Sequence, residues 1–192
     1  MFNELDTNCT IFDGSSFTQG PNTQTKHMFG SMVTFFDGNP MILGGYKGFG
    51  QDEVAVEKLG ESSWTSMPPM PTPLRLFSAV AVNLGPGHQA IWVFGGITGI
   101  DDVSQSSSFY FQNNVWTPGP DMLRPRHGHR TIKYSINEKP VLLHIGGDMV
   151  KNDTLPVESF DIHTTSSHDL NLQLAFYTDF PEVFYVPPNI CS

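Results

Sequence analysis

The chain has 192 residues, 39% apolar and 12% aromatic, with 10 basic side chains against 19 acidic ones and a net charge of −9 at pH 7. Fifteen Phe and three Trp in that length argue against disorder and for one domain with a sizeable core. An acidic field repels phosphate backbones, so nucleic-acid binding is not expected, and no run approaches eighteen apolar residues, so neither is membrane insertion.

The opening "MFNELDTNCTIF" has neither a basic start nor an apolar stretch, so it does not read as a signal peptide. That favours the cytoplasm, while glycosylation triplets at Asn8 ("NCT") and Asn152 ("NDT") keep a secreted parent open. From residue 26 onward the chain repeats itself. The doublets Gly44-Gly45, Gly95-Gly96 and Gly146-Gly147 close "MILGG", "IWVFGG" and "LLHIGG", each 51 residues after the last. Other residues follow the interval: Pro69 and Pro120, Arg75 and Arg126, and His27 and His129 with Ser78 between them, while Trp64 and Trp116 lie 52 apart.

One unit is most legible between residues 74 and 124. "LFSAVAV" is a β-branched and small apolar run, "NLGPGHQ" a turn, and "AIWVFGG" a second run closed by the doublet. The polar "ITGIDDVSQSS" leads to a third run, "SFYFQ", and "NN" turns the chain into "VWTPGPDM", a fourth strand weakened by prolines. Four short runs bounded by turn formers predict a four-stranded antiparallel meander, and no stretch sustains a helical period. The fold is expected to be all-β. At the far end "PEVFYV" falls where another unit's first strand would begin, and "MFNELDTNCTIF" where a preceding unit's third and fourth strands belong.

A second strand ending in Gly-Gly, a third ending in an aromatic, then Trp and a Pro-rich exit together resemble the Kelch motif. The resemblance implies a β-propeller with one blade per repeat. Residues 1–25 would be a partial outer blade, 26–73, 74–124 and 125–176 three complete four-stranded blades, and 177–192 the start of a further one, all in one domain. The third unit departs from the motif, with no Trp and a polar slot near Ser167. Kelch propellers of six or seven blades need roughly 300 residues or more, so the propeller is expected to be incomplete. Either the chain is a segment of a larger Kelch protein, or its ends combine into a small ring short of a strand. Open blade edges would then invite self-association.

Candidate chemistry is sparse. In "RPRHGHR" (residues 124–130), His127 and His129 would share a face of a strand, but no spacing supplies a metal's remaining ligands. Neither a nucleophile elbow nor a phosphate-binding loop is present. Cys9 and Cys191 lie at opposite ends and read as free thiols, with a ring-closing disulfide as the alternative. Met67 and Met70 read as packing between blades, and Asp52-Glu53 and Asp101-Asp102 as solvated loop carboxylates. No catalytic residue, metal or cofactor is expected. What the repeats supply is a rigid scaffold with loops that vary between units, "YKGFGQDE", "ITGIDDVSQ" and "DMVKND", on one face. The expected function is a protein-interaction module of scaffold, adaptor or substrate-receptor type. Its partner would be a protein or peptide, contacted through Lys47, Phe49, Arg75, Ile100, Asp101, Asp102, Arg126 and Lys151. The alternatives are a propeller enzyme, such as a copper oxidase or sugar-acid epimerase, and a fragment that does not fold alone.

Overall fold

The computed structural model describes residues 7–83, 85, 89–136, 139–147 and 156–173. Among these the protein is all-β, built on three four-stranded antiparallel meanders, each falling within one sequence repeat. A short hairpin comes first, β1 (Thr10–Phe12) with β2 (Phe17–Gln19). The first sheet is β3 (Ser31–Thr34), β4 (Pro40–Gly48), β5 (Gln51–Leu59) and β6 (Trp64–Met67). The second is β7 (Ser78–Asn83), β8 (Gln89–Phe94), β11 (Ser108–Gln112) and β12 (Val115–Pro118). Between β8 and β11 a small hairpin, β9 (Ile97–Thr98) with β10 (Val103–Ser104), extends past the glycine doublet. The third sheet is β13 (Arg130–Ile136), β14 (Lys139–Ile145), β15 (Pro156–Asp161) and β16 (Ser166–Gln173). Each sheet is open, with its first and fourth strands as edges.

Period-2 alternation decides how the sheets pack. On β8, Ile91 and Val93 join a core with Met41, Leu43 and Val56 of the first sheet. The alternate residues Ala90, Trp92 and Phe94 face the third sheet, packing with Leu142 and Phe160. The middle sheet is therefore buried on both faces, and "AIWVF" reads as a continuous apolar run rather than an alternating one. Trp92 carries much of the second core, its ring centroid 5.1 Å from that of Phe160 and 4.7 Å from that of Tyr110. Met70 and Met122 fill the cores beside the doublets, and Met67 packs against the first core.

The glycine doublets hold the sheets together. A Cβ on the second glycine of each pair would strike the lead-in to that sheet's own first strand. It would meet the carbonyl oxygens of Met28, Arg75 and His127 at 2.7, 2.8 and 2.7 Å for Gly45, Gly96 and Gly147. A Cβ on the first glycine would strike the lead-in to the next sheet, at Leu74 for Gly44 and at Arg126 for Gly95. In return Gly45 N–H donates to Leu74 O and Gly96 N–H to Arg126 O, both at 2.7 Å. Phe29, Leu76 and Gly128 occupy one equivalent position, each left-handed (φ 57°, 57° and 64°) two residues before a first strand. They bond in series, Leu76 N–H to Phe29 O and Gly128 N–H to Leu76 O, both at 2.8 Å. These bonds bring β3, β7 and β13 side by side.

This arrangement corrects the repeat register. At the left-handed position the intervals are 76 − 29 = 47 and 128 − 76 = 52. Arg75 therefore corresponds to Met28 and His127, not to Arg126, whose counterparts are His27 and Leu74; His129 corresponds to Gly30 and Phe77.

On the fourth strands the tryptophans reach back to the preceding unit. Trp116 Nε1–H donates to Pro68 O at 2.8 Å, and Trp64 Nε1–H to Pro21 O at 2.9 Å. Pro21 thus stands to the first sheet as Pro68 stands to the second. In the third sheet, where the sequence has no Trp, Ser167 Oγ makes the corresponding bond to Asp121 O at 3.5 Å, longer and with no indole to bury.

Candidate functional site

Two hairpins project beyond the doublets, one from each of the first two sheets. In the first, Gly48 pairs with Gln51 across a two-residue turn, Phe49-Gly50, whose residues both have positive φ (54° and 75°). In the second, Thr98 pairs with Val103 across the Gly99–Asp102 turn. Arg75 lies between them. Its backbone bridges Ile97, donating to Ile97 O at 3.1 Å and accepting from Ile97 N–H at 2.9 Å. Its guanidinium bonds Asp52 of the first hairpin and Asp102 of the second, and also reaches Gly99 O at 3.3 Å. The free oxygen of Asp52 accepts from Gly99 N–H at 2.7 Å. The Arg75 guanidinium also lies 5.2 Å over the Tyr46 ring, and the Tyr46 hydroxyl accepts from Gly50 N–H at 2.8 Å. A planar, forked cation suits this double clamp.

Phe49, Arg75, Ile100, Asp101 and Asp102 thus gather at the two hairpin turns, while Lys47, next to Tyr46 on the strand, turns instead toward Glu53 and Thr25. Phe49 is 92% exposed and Ile100 81%, and Val103 adds a third exposed apolar side chain. Asp101 lies in solvent, and Asp102 stays largely exposed while bonded to Arg75. Lys47 is half-exposed and pairs with Glu53 at 3.5 Å.

The other two candidates differ. Lys151 lies outside the described residues. Arg126 is fully buried, because the 52-residue interval sets it one position out of step with Arg75 and a one-residue slip turns a side chain to the opposite face. It bonds Gly146 O at 3.0 Å, Pro156 O, and the carboxylate of Glu158 at 3.6 Å.

Sequence reasoning also missed the carboxylate that completes the clamp. Asp52 is not a solvated loop residue: its side chain is 3% exposed. Glu53 is buried too, and burial alone would raise its pKa. The Ala55 amide, the Thr25 hydroxyl and the Val54 amide outweigh that and hold it below the usual carboxylate range.

The "RPRHGHR" segment is divided rather than shared between faces. Gly128 is left-handed, so His127 and His129 do not point the same way. His127 Nδ1 meets Ser104 Oγ at 2.8 Å near the second hairpin, and Arg124 pairs with Asp169 at 2.7 Å. His129 is buried between sheets, its ring 5.9 Å from that of His144. Burial drives both histidines toward the neutral form, with each other's charge adding for His129 and Arg126 adding for both; His144 falls to about 3. Burial also raises the Glu158 carboxyl, an effect partly opposed by the Leu123 amide and Arg126. Glu158 accepts from Leu123 N–H at 2.6 Å, as Glu57 accepts from Gln24 and Thr25 N–H at 2.7 and 3.0 Å before the first sheet. Both carboxylates fasten a lead-in segment to its sheet. Among the described residues no three His, Cys, Asp or Glu side chains are placed to hold a metal. Cys9 is half-buried, while Cys191 and Asn152 lie outside the described residues and Asn8 is exposed.

Comparison with models of known protein families and with curated proteins gives no match for this chain.

Proposed function

We propose that the chain is a protein-interaction module in which the three sheets are blades of a Kelch-type propeller and the two hairpins form its binding face. The propeller reading rests on four-stranded meanders whose first strands stand side by side, on the first two doublets, each of which contacts two successive lead-ins, and on the tryptophan bonds between units. One observation carries the functional reading: Phe49 and Ile100 are almost fully exposed on hairpins that Arg75 fastens together. Large apolar groups held rigidly in water suit a contact surface, since little order is left to impose on binding.

The test is site-directed photo-crosslinking. A benzophenone amino acid replaces Ile100 in one protein and Val115 in another; Val115 is also exposed but follows the β11–β12 turn at the other end of the second sheet. In cell extract, discrete adducts from position 100 and none from position 115 are expected. Adducts from 115 alone, or from neither position, would refute the assignment.

A further inference from the structure

Phe49 combines two unfavourable features that no packing repays. It occupies the first central position of a turn with both φ values positive, where Asn-Gly is the favoured pair and a side chain bearing a Cβ and a ring is disfavoured. Its ring is also left in water, 92% exposed. The turn is nevertheless fixed: Gly50 N–H is bound to Tyr46, Tyr46 lies under Arg75, and a Cβ at Gly50 would sit 3.3 Å from Ile100 Cγ2. A strained residue that its surroundings hold in place points to function, and Phe is among the residues enriched at protein interfaces.

The charges around it select the partner. Asp52 is occupied by Arg75, and Lys47 is matched by Glu53. Among the described residues, the carboxylates that face solvent on the turn carrying Ile100 are Asp101 and the exposed side of Asp102. The chain as a whole carries −9. This field attracts a cationic segment and repels a second copy of the same face.

Resting on the loop-face reading, we propose that the face binds an extended peptide segment of another protein that combines apolar and basic residues. Its apolar side chains pack on Phe49, Ile100 and Val103, and a Lys or Arg meets Asp101 and Asp102.

A library of random dodecapeptides displayed on phage is selected on the full chain. The best peptide is then titrated by fluorescence anisotropy against the native protein, Phe49→Asn, Asp101→Lys and Ile100→Asp. Selected sequences should pair Lys or Arg with Leu, Ile, Phe or Trp. Phe49→Asn should weaken binding at least tenfold while raising the urea midpoint, because Asn-Gly relieves the turn. Asp101→Lys should weaken it several-fold, and affinity should fall with added salt. The gain in stability separates lost contact from lost folding. Peptides without basic residues that still depend on Phe49 and Ile100 would overturn the charge assignment and leave the loop face standing. Binding indifferent to both Phe49→Asn and Ile100→Asp would overturn the loop face as well. A selection that yields no binder overturns this proposal, as does native self-association abolished by Phe49→Asn, which would make a second copy the occupant.

Discussion

Replacing Gly96 by alanine tests why the doublets recur, because Gly38 offers a control with nearly the same backbone. Their φ values are +95° and +87°, so an alanine at either site bears a similar conformational cost of about 1–2 kcal/mol. The surroundings differ. A Cβ at Gly96 would lie 2.7 Å from Phe77 Cβ and 2.8 Å from Arg75 O, whereas one at Gly38 would have no atom within 4 Å. Neither neighbour of Gly96 is the loose end of a flexible side chain, so strand or lead-in must shift, adding about 1–3 kcal/mol of overpacking. Gly38→Ala should therefore destabilise by about 1–2 kcal/mol and Gly96→Ala by roughly 2–5 kcal/mol. Urea unfolding followed by tryptophan fluorescence, with a slope of about 2 kcal/mol per molar, separates the variants by a midpoint difference of about 1 M. Equal losses at the two sites would show that the second glycine serves only local chain geometry, and the account of its close approach to the sheet's own lead-in would fail.

Acidification from pH 7 to 5.5 should lower stability. His129 and His144 stay neutral when folded but take up protons near pH 6.5 when unfolded, so their contribution is complete above pH 6.5 and is lost as pH falls, by at most about 1.4 kcal/mol per pH unit each. Glu158, with its pKa raised, has the opposite sign and offsets part of the loss at the lower end. Urea midpoints across that range should fall less steeply for His129→Leu than for the native chain. A double-mutant cycle on Arg75→Ala and Asp52→Ala should give a coupling of about 1–3 kcal/mol, since Arg75→Ala leaves the shielded Asp52 carboxylate without its cation, while Asp52→Ala leaves Arg75 its bond to Asp102. Trp116→Phe keeps an aromatic body beside Phe109 and Phe111 but loses the bond to Pro68, and thermal unfolding should report a loss of about 1 kcal/mol.

The three sheets were legible because the doublets, turn formers and short apolar runs are local signals. Each of "LFSAVAV", "AIWVFGG", "SFYFQ" and "VWTPGPDM" carries all but at most one residue of a strand of the second sheet. Register was harder. A constant interval of 51 fits the doublets, but the lead-ins slip to 47 and 52, which put Arg126 in the core while Arg75 stayed at the surface. The buried Asp52 looked like any loop carboxylate, because its partners Arg75 and Gly99 lie 23 and 47 residues away. His144 and Glu158 sit in apolar runs and meet only across the β14–β15 ladder, which no local pattern announces.

The central claim is that hairpins from two successive repeats meet in one fixed face. Forming a disulfide between them tests it most directly. Gly50→Cys and Ile100→Cys are combined in a Cys9→Ser, Cys191→Ser background, because a Cβ at Gly50 would lie 3.3 Å from Ile100 Cγ2, close to bonding geometry. Gly50→Cys with Val115→Cys is the control. The account predicts an intramolecular disulfide in the folded monomer for the first pair, mapped by mass spectrometry, and none for the control. Free thiols in both proteins, or links only between molecules, would contradict it.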